Sequence, residues 1–148
     1  MRLRVVEPGT VAFAALERQL EAAGLPKDDL FAEGGRYYAL GEEDRDALAF
    51  VGLTALGDEG LLRSLVVPEP GRGQGRGRDI TTRLLTLAQT YGIRRVWLLT
   101  TDAEGFFSDL GFRAVDRAQA PPEIAATQQF RGVCPASAVL MRRDLDQQ

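Results

Sequence analysis

Histidine is missing from this chain altogether, and cysteine occurs once, at Cys134. Without histidine, catalysis by a Ser-His-Asp or Cys-His pair is excluded. A single cysteine rules out an internal disulfide framework, and with no histidine beside it no zinc cluster of the usual kind is expected. No apolar run approaches the ~18 residues needed to cross a bilayer. The opening Met1-Arg2-Leu3-Arg4-Val5-Val6 also lacks the long apolar segment of a secretion signal. A soluble, cytoplasmic protein with no membrane partner is therefore expected. Positive charge is not in excess either. Eighteen Lys and Arg against 21 Asp and Glu leave a net charge of −3, which disfavours a general nucleic-acid binder. What remains is ordinary for a globular chain: 148 residues, 45% hydrophobic and 26% charged, enough for about one domain with a real core.

One segment stands apart. Gly71-Arg72-Gly73-Gln74-Gly75-Arg76-Gly77-Arg78-Asp79 alternates four glycines with side chains that are mostly Arg. A β-like run, Leu61 to Val67, precedes it, and a helical pattern follows, with Ile80, Leu84, Leu87, Ala88 and Tyr91 on one face. Strand, glycine loop, helix presents free backbone N–H groups at a positive helix end, suited to a phosphate or pyrophosphate. Glycine lets the backbone approach the anion, and Arg supplies charge-assisted hydrogen bonds. A P-loop is excluded because no Gly-Lys-Ser/Thr follows Gly71 or Gly73. A dinucleotide fingerprint fails because Arg76 and Arg78 stand where its third glycine belongs. The spacing R-x-x-G-x-G does fit, carried by Arg72, Gly75 and Gly77. It resembles the acetyl-CoA pyrophosphate loop of the GNAT superfamily of N-acetyltransferases.

The rest of the chain supports an α/β reading. Leu3 to Val6 predicts a strand, and Thr10 caps a helix over Val11 to Ala23 that ends at Gly24 and Pro26. A further helical turn near Asp28 to Phe31 leads to a meander of Tyr37 to Leu40, Ala47 to Leu56 and Leu61 to Val67, with the acidic run Glu42 to Asp46 as a solvated turn. The main helix is expected over Arg78 to Tyr91, then a buried strand over Arg95 to Thr101 and a short helix over Ala103 to Leu110. Phe112 to Val115 and Ser137 to Met141 read as closing strands, with a helical piece, Glu123 to Phe130, between them. This order is similar to the GNAT fold, a mixed central β-sheet flanked by helices, as one domain over residues 1–148. The segment Thr100 to Phe112, ending in Leu110-Gly111-Phe112, resembles the family's short helix after its fifth strand. The strings Leu62-Arg63-Ser64-Leu65, Ala103-Glu104-Gly105-Phe106-Phe107, Val115-Asp116-Arg117 and Cys134 to Val139 resemble the arsenic-resistance-associated GNAT group. They are also similar to the acetyltransferase domain of N-acetylglutamate synthases.

The resemblance implies an acetyl-CoA-dependent N-acetyltransferase acting on a small, anionic, amino-acid-like amine, with a monomer or homodimer both left open. It places the cofactor's pyrophosphate over Arg72, Gly73, Gln74, Gly75, Arg76 and Gly77. The pantetheine arm would pair with Leu65 and Val67, and Phe106 and Phe107 would lie against the cofactor. The Leu65 backbone N–H is the expected oxyanion donor. The usual acid and base are both replaced, however. Phe107 stands where many relatives carry Tyr, and the cation Arg63 stands near the place of the usual Glu. A water relay, a substitute among Glu59, Ser64 and Cys134, or a non-catalytic acyl-CoA-binding role all answer that departure. Arg63 is read as a cation for an acceptor's carboxylate, or else as the partner of an acid such as Glu59. Ser64, on the opposite strand face from Arg63 by alternation, is a further candidate for catalysis or acceptor binding.

Overall fold

The computed structural model describes residues 2–27, 29–42, 45–69, 71–133 and 137–145. Seven strands form one sheet: β1 (Leu3–Val6), β2 (Arg36–Leu40), β3 (Ala49–Leu56), β4 (Glu59–Val66), β5 (Arg95–Thr100), β6 (Arg113–Val115) and β7 (Val139–Asp144). Their spatial order is β1-β2-β3-β4-β5-β7-β6. Only β4 and β5 run parallel; every other neighbouring pair is antiparallel. The helices are α1 (Val11–Ala22), α2 (Arg76–Thr90), α3 (Glu104–Asp109) and α4 (Pro122–Ala125).

Alternation along the strands separates two apolar faces. Tyr38, Leu40, Val51, Leu62 and Leu98 pack with Ile80, Leu84 and Ala88 of α2 and Phe107 of α3. On the other face Tyr37, Ala39, Phe50 and Val66 pack with Leu16 and Leu20 of α1. Thr10 starts α1 as expected, its hydroxyl accepting from the Phe13 N–H at 3.1 Å.

Two irregularities open the sheet at its centre. The β4–β5 pairing runs from Glu59↔Arg95 to Leu61↔Trp97 and then stops, although both strands continue. Farther along β4, Gly52 of β3 faces Arg63 but Phe50 faces Val66, so one strand carries an extra residue, a β-bulge. Ser64 takes it up with φ 60°, a left-handed conformation unusual for a side-chain-bearing residue.

The differences from the sequence reading lie at element ends and in the last third. The main helix begins at Arg76, two residues before the expected Arg78. Glu123 to Phe130 is not one helix: α4 ends at Ala125 and a separate π-helical turn spans Gln129–Val133. The last strand starts at Val139 rather than Ser137 and runs on to Asp144. Cys134 and part of the acidic turn, Glu43 and Asp44, lie outside the described residues. No helix among the described residues is long and apolar enough to cross a membrane.

Candidate active site

The parting of β4 and β5 leaves a cleft of about 370 Å³. One wall is β4 from Leu62 to Val66 with Val67 just beyond it, and the other is the end of β5, the turn after it and α3, including Thr100, Asp102, Phe106 and Phe107. Leu25 and Pro26, after α1, and Gln129 close its sides. Arg72 lies on the same lining, so the start of the glycine loop meets this space, while Gly73, Gln74, Gly75, Arg76 and Gly77 are not on the lining.

The loop is shaped by backbone chemistry that few residues other than glycine permit. Gly73 and Gly75 adopt φ 81° and 78°, where a Cβ is strained. Gly75 caps α2 without a side chain, and its carbonyl receives the first intrahelical bond, from the Asp79 N–H at 3.0 Å. The amides of Arg76, Gly77 and Arg78 therefore precede the helical ladder and face out at a positive helix end. Gly77 also admits a neighbour: a Cβ there would lie 3.3 Å from the Phe106 ring. Arg72 donates to the Val67 carbonyl at 2.9 Å and pairs with Glu69 at 2.8 Å, tying the loop back to the end of β4. Arg76 folds over Gly71, where a Cβ would stand 2.5 Å from its Nη1.

At the bulge, three Arg63 nitrogens are engaged by the protein. Nη1 faces the Asp29 carboxylate at 2.7 Å, Nη2 donates to the Pro26 carbonyl at 3.2 Å, and Nε donates to Ser64 Oγ at 2.9 Å. The pair is deep, with side chains of Arg63 and Asp29 only 4% and 2% exposed. Two expectations are corrected here. Arg63 is not a free cation, because Asp29, not Glu59, neutralises it. Ser64 does not turn away from Arg63, because the left-handed bulge breaks strict alternation and brings the hydroxyl back to the guanidinium. The Asp29 loop is clamped further by Tyr37, whose hydroxyl donates to the Leu30 carbonyl, and by Phe31, which packs on Phe13 and Tyr37 with centroids 5.1 and 5.6 Å away. Gly52 makes room for this, since a Cβ there would stand 2.5 Å from the Tyr37 ring. Burial pushes the Tyr37 hydroxyl up to about 12.

Glu59 fails as a substitute base. It lies at the far end of β4, where Arg95 grips its carboxylate and the Trp97 indole N–H donates to it at 2.7 Å. Burial pushes its carboxyl up, but the hydrogen bonds from Arg95 and Trp97 outweigh that and hold it below the usual carboxylate range. Phe107 is in the lining but mostly in the core, edge-on to Phe106 and Phe112 at 5.0 and 5.6 Å. Two residues not anticipated from the sequence complete the site. Asp29 reaches Arg63 from a loop 34 positions upstream in the chain, a contact no linear pattern signals. Among the described residues Asp102 is the only carboxylate on the cleft lining, and none of them pairs or hydrogen-bonds with it.

The model of the acetyltransferase (GNAT) family matches residues 9–112, from the start of α1 through Leu110-Gly111-Phe112. The chain belongs to this GNAT family. It is an N-acetyltransferase, and acetyl-CoA fits as its co-substrate. No curated protein matches it significantly in sequence. Among solved structures, Rv2747 from Mycobacterium tuberculosis in complex with CoA superposes with a TM-score of 0.79 at 20% identity, over 99% of this chain and 100% of that one. A GNAT acetyltransferase from Staphylococcus aureus gives 0.75 at 16% identity, covering 97% and 99%. N-acetylglutamate synthase from Neisseria gonorrhoeae, complexed with coenzyme A and N-acetyl-glutamate, gives 0.77 at 21% identity. This chain is matched over 98% of its own length but spans only 35% of that synthase.

Proposed function

We propose that this GNAT domain, acting as one unit in the cytoplasm, transfers the acetyl group of acetyl-CoA to the amine of a small amino-acid-like molecule. The observation that carries this reading is that Arg72, the first arginine of the glycine loop, lines the same cleft as the β4 bulge. The pyrophosphate is assigned to the amides that precede the α2 ladder, with Arg72 and Arg76 beside them. The pantetheine arm is assigned to Leu65 of β4 and Val67 just past its end, with Phe106 and Phe107 across from it.

The transfer itself is brief. The amine's lone pair forms a C–N bond at the thioester carbon while the carbonyl π pair moves to oxygen. The Leu65 N–H, beside the bulge, is the assigned donor to that oxyanion, an interaction worth about 3–4 kcal/mol when preorganised. Collapse breaks the C–S bond, and the electron pair leaves on the CoA sulfur. A thiolate of that kind, near the ~8.5 of cysteine, needs little help in leaving, which suits a cleft with Phe107 in place of Tyr. The proton lost from nitrogen goes to water at the mouth, where Asp102 is the carboxylate on the wall. Holding amine and thioester together supplies up to ~7–11 kcal/mol.

An acidic acceptor is supported by the fold shared with the Neisseria synthase complexed with N-acetyl-glutamate. Arg63 reaches such a carboxylate only by exchanging it for Asp29. The strings around Arg63, Phe107, Asp116 and Cys134 keep amine-bearing arsenicals, and a place in arsenic resistance, among the acceptors to be tested.

Calorimetry with acetyl-CoA and a free-thiol release assay across amino acids, their amides and amine-bearing arsenicals test this reading. The proposed enzyme releases thiol with at least one of these acceptors; binding without release from any of them would overturn the proposed acceptor class. A folded Gly75→Val variant should lose acetyl-CoA affinity, and unchanged affinity would remove the loop assignment.

A further inference from the structure

We infer that Asp29 and Arg63 are positioning residues that turn Ser64 into a hydrogen-bond donor for the charge building on the thioester during transfer. The inference rests on the acetyltransferase reading above and deepens it.

Three observations meet at Ser64. Its backbone sits at φ 60°, a conformation that side-chain-bearing residues pay for and that persists where surrounding structure enforces it. Its Oγ accepts from Arg63 Nε at 2.9 Å, so that lone pair is committed to a cation. Its hydroxyl hydrogen finds no acceptor among the described residues, although the residue is 9% exposed and lines the cleft. A hydroxyl that accepts from a guanidinium is polarised toward donating, and the open direction here is the cleft.

Arg63 holds this arrangement only because its own charge is answered. Without Asp29 a buried guanidinium would lack a counter-charge, a strongly unfavourable state. The ion pair is close, at 2.7 Å, yet its angle is not that of a hydrogen bond, and neither Asp29 oxygen has a hydrogen-bond partner among the described residues. Asp29 thus acts on Arg63 as a counter-charge, and Arg63 acts on Ser64 as a fixed donor. The Pro26 carbonyl, 3.2 Å from Nη2, sets the guanidinium plane. No proton leaves Ser64: the hydroxyl donates a hydrogen bond to the developing charge and keeps its proton. The device supplies at the bulge an O–H donor that Phe107 cannot supply from α3.

The test uses the full chain and compares Ser64→Ala, Arg63→Met and the double variant in the thiol-release assay, with acetyl-CoA affinity measured in parallel. Ser64→Ala should lower kcat by about 100-fold, the size of one lost donor at a developing oxyanion, with acetyl-CoA affinity and acceptor KM little changed. Arg63→Met should show a similar loss, and the double variant no further loss, because both act through one hydroxyl. Losses that multiply, or a Ser64→Ala enzyme with full turnover, would overturn the inference. So would an Arg63→Met enzyme whose only defect is a raised KM for acids but not for their amides, since Arg63 would then hold the acceptor. If Arg63→Met does not fold, the neutral pair Asp29→Asn with Arg63→Met takes its place, and Ser64→Gly, which relaxes at φ 60°, replaces Ser64→Ala. A wild-type protein that binds acetyl-CoA but releases no thiol with any acceptor tested would overturn the proposed acceptor class, and this inference with it.

Discussion

The two ends of β4 carry the same chemical pair, one arginine against one buried carboxylate, and use it differently. At the closed end Glu59 sits opposite Arg95 in the sheet register, so strand pairing itself brings the two together. The Glu59 side chain is 3% exposed while Arg95, at 40%, keeps contact with water. Arg95 and the Trp97 indole between them occupy both carboxylate oxygens. At the open end, where β4 and β5 part, Asp29 comes from a loop instead, both partners are buried, and Ser64 keeps a hydrogen unassigned. A completed network fastens two strands; an incomplete one, facing a cleft, leaves a group for a ligand.

The contrast breaks most visibly at the closed end. Glu59→Ala should cost about 2–3 kcal/mol of stability, because the buried Trp97 N–H loses its acceptor and the packed carboxylate leaves a gap. Arg95 can rehydrate, which keeps the cost below that of a fully buried pair. Urea unfolding measures it, and acetyl-CoA affinity per folded molecule should not move. A loss of affinity without a loss of stability would mean that the closed end also shapes the cleft.

The open end should respond in the opposite sense. Ser64→Gly removes the left-handed strain and should raise stability by roughly 1 kcal/mol while turnover falls. Thermal unfolding and the thiol-release assay on one preparation check both halves. A variant that loses stability would show that the Ser64–Arg63 bond outweighs the strain.

Acid sharpens the comparison without a mutation. The folded Glu59 carboxyl lies below its ordinary value of 4.5, so its contribution is complete above that pH and is lost as pH falls through the depressed folded value. Glu59→Gln should flatten this part of the stability profile below pH 4.5. Tyr37 has the reverse sign. Its folded value is raised from 10.0 to about 12, so its contribution holds below pH 10 and fades as pH rises toward 12.

The smallest effect is expected at Phe107. Phe107→Tyr should leave acetyl-CoA binding alone and hold turnover level or raise it slightly, most visibly at high pH. A large loss of turnover with intact binding would instead make the aromatic contact with Phe106 and Phe112 part of the thioester pocket.

Much of this was legible in the chain. The Arg72, Gly75 and Gly77 spacing, the helix after it and the Leu110-Gly111-Phe112 stop are local features, read from a few consecutive residues. The loop glycines in particular are dictated by backbone angles that other residues resist. The strand and helix order followed from periodicity, and errors gathered where periodicity is short, around α4 and the turn at Gln129–Val133. Arg63 and Ser64 were visible as a polar pair in an apolar strand, but what each touches was not.

Sequence by itself thus determined the α/β order, the glycine loop between β4 and α2 and the stop at Leu110-Gly111-Phe112, because each depends on near neighbours in the chain. Tertiary structure alone decided which acid meets Arg63, that Ser64 turns back toward it, and that Asp102 stands on the cleft wall. Those outcomes hang on a one-residue bulge and on where two parallel strands cease to pair. Both are set by packing between segments far apart in sequence, where a shift of one position reassigns every side chain's face.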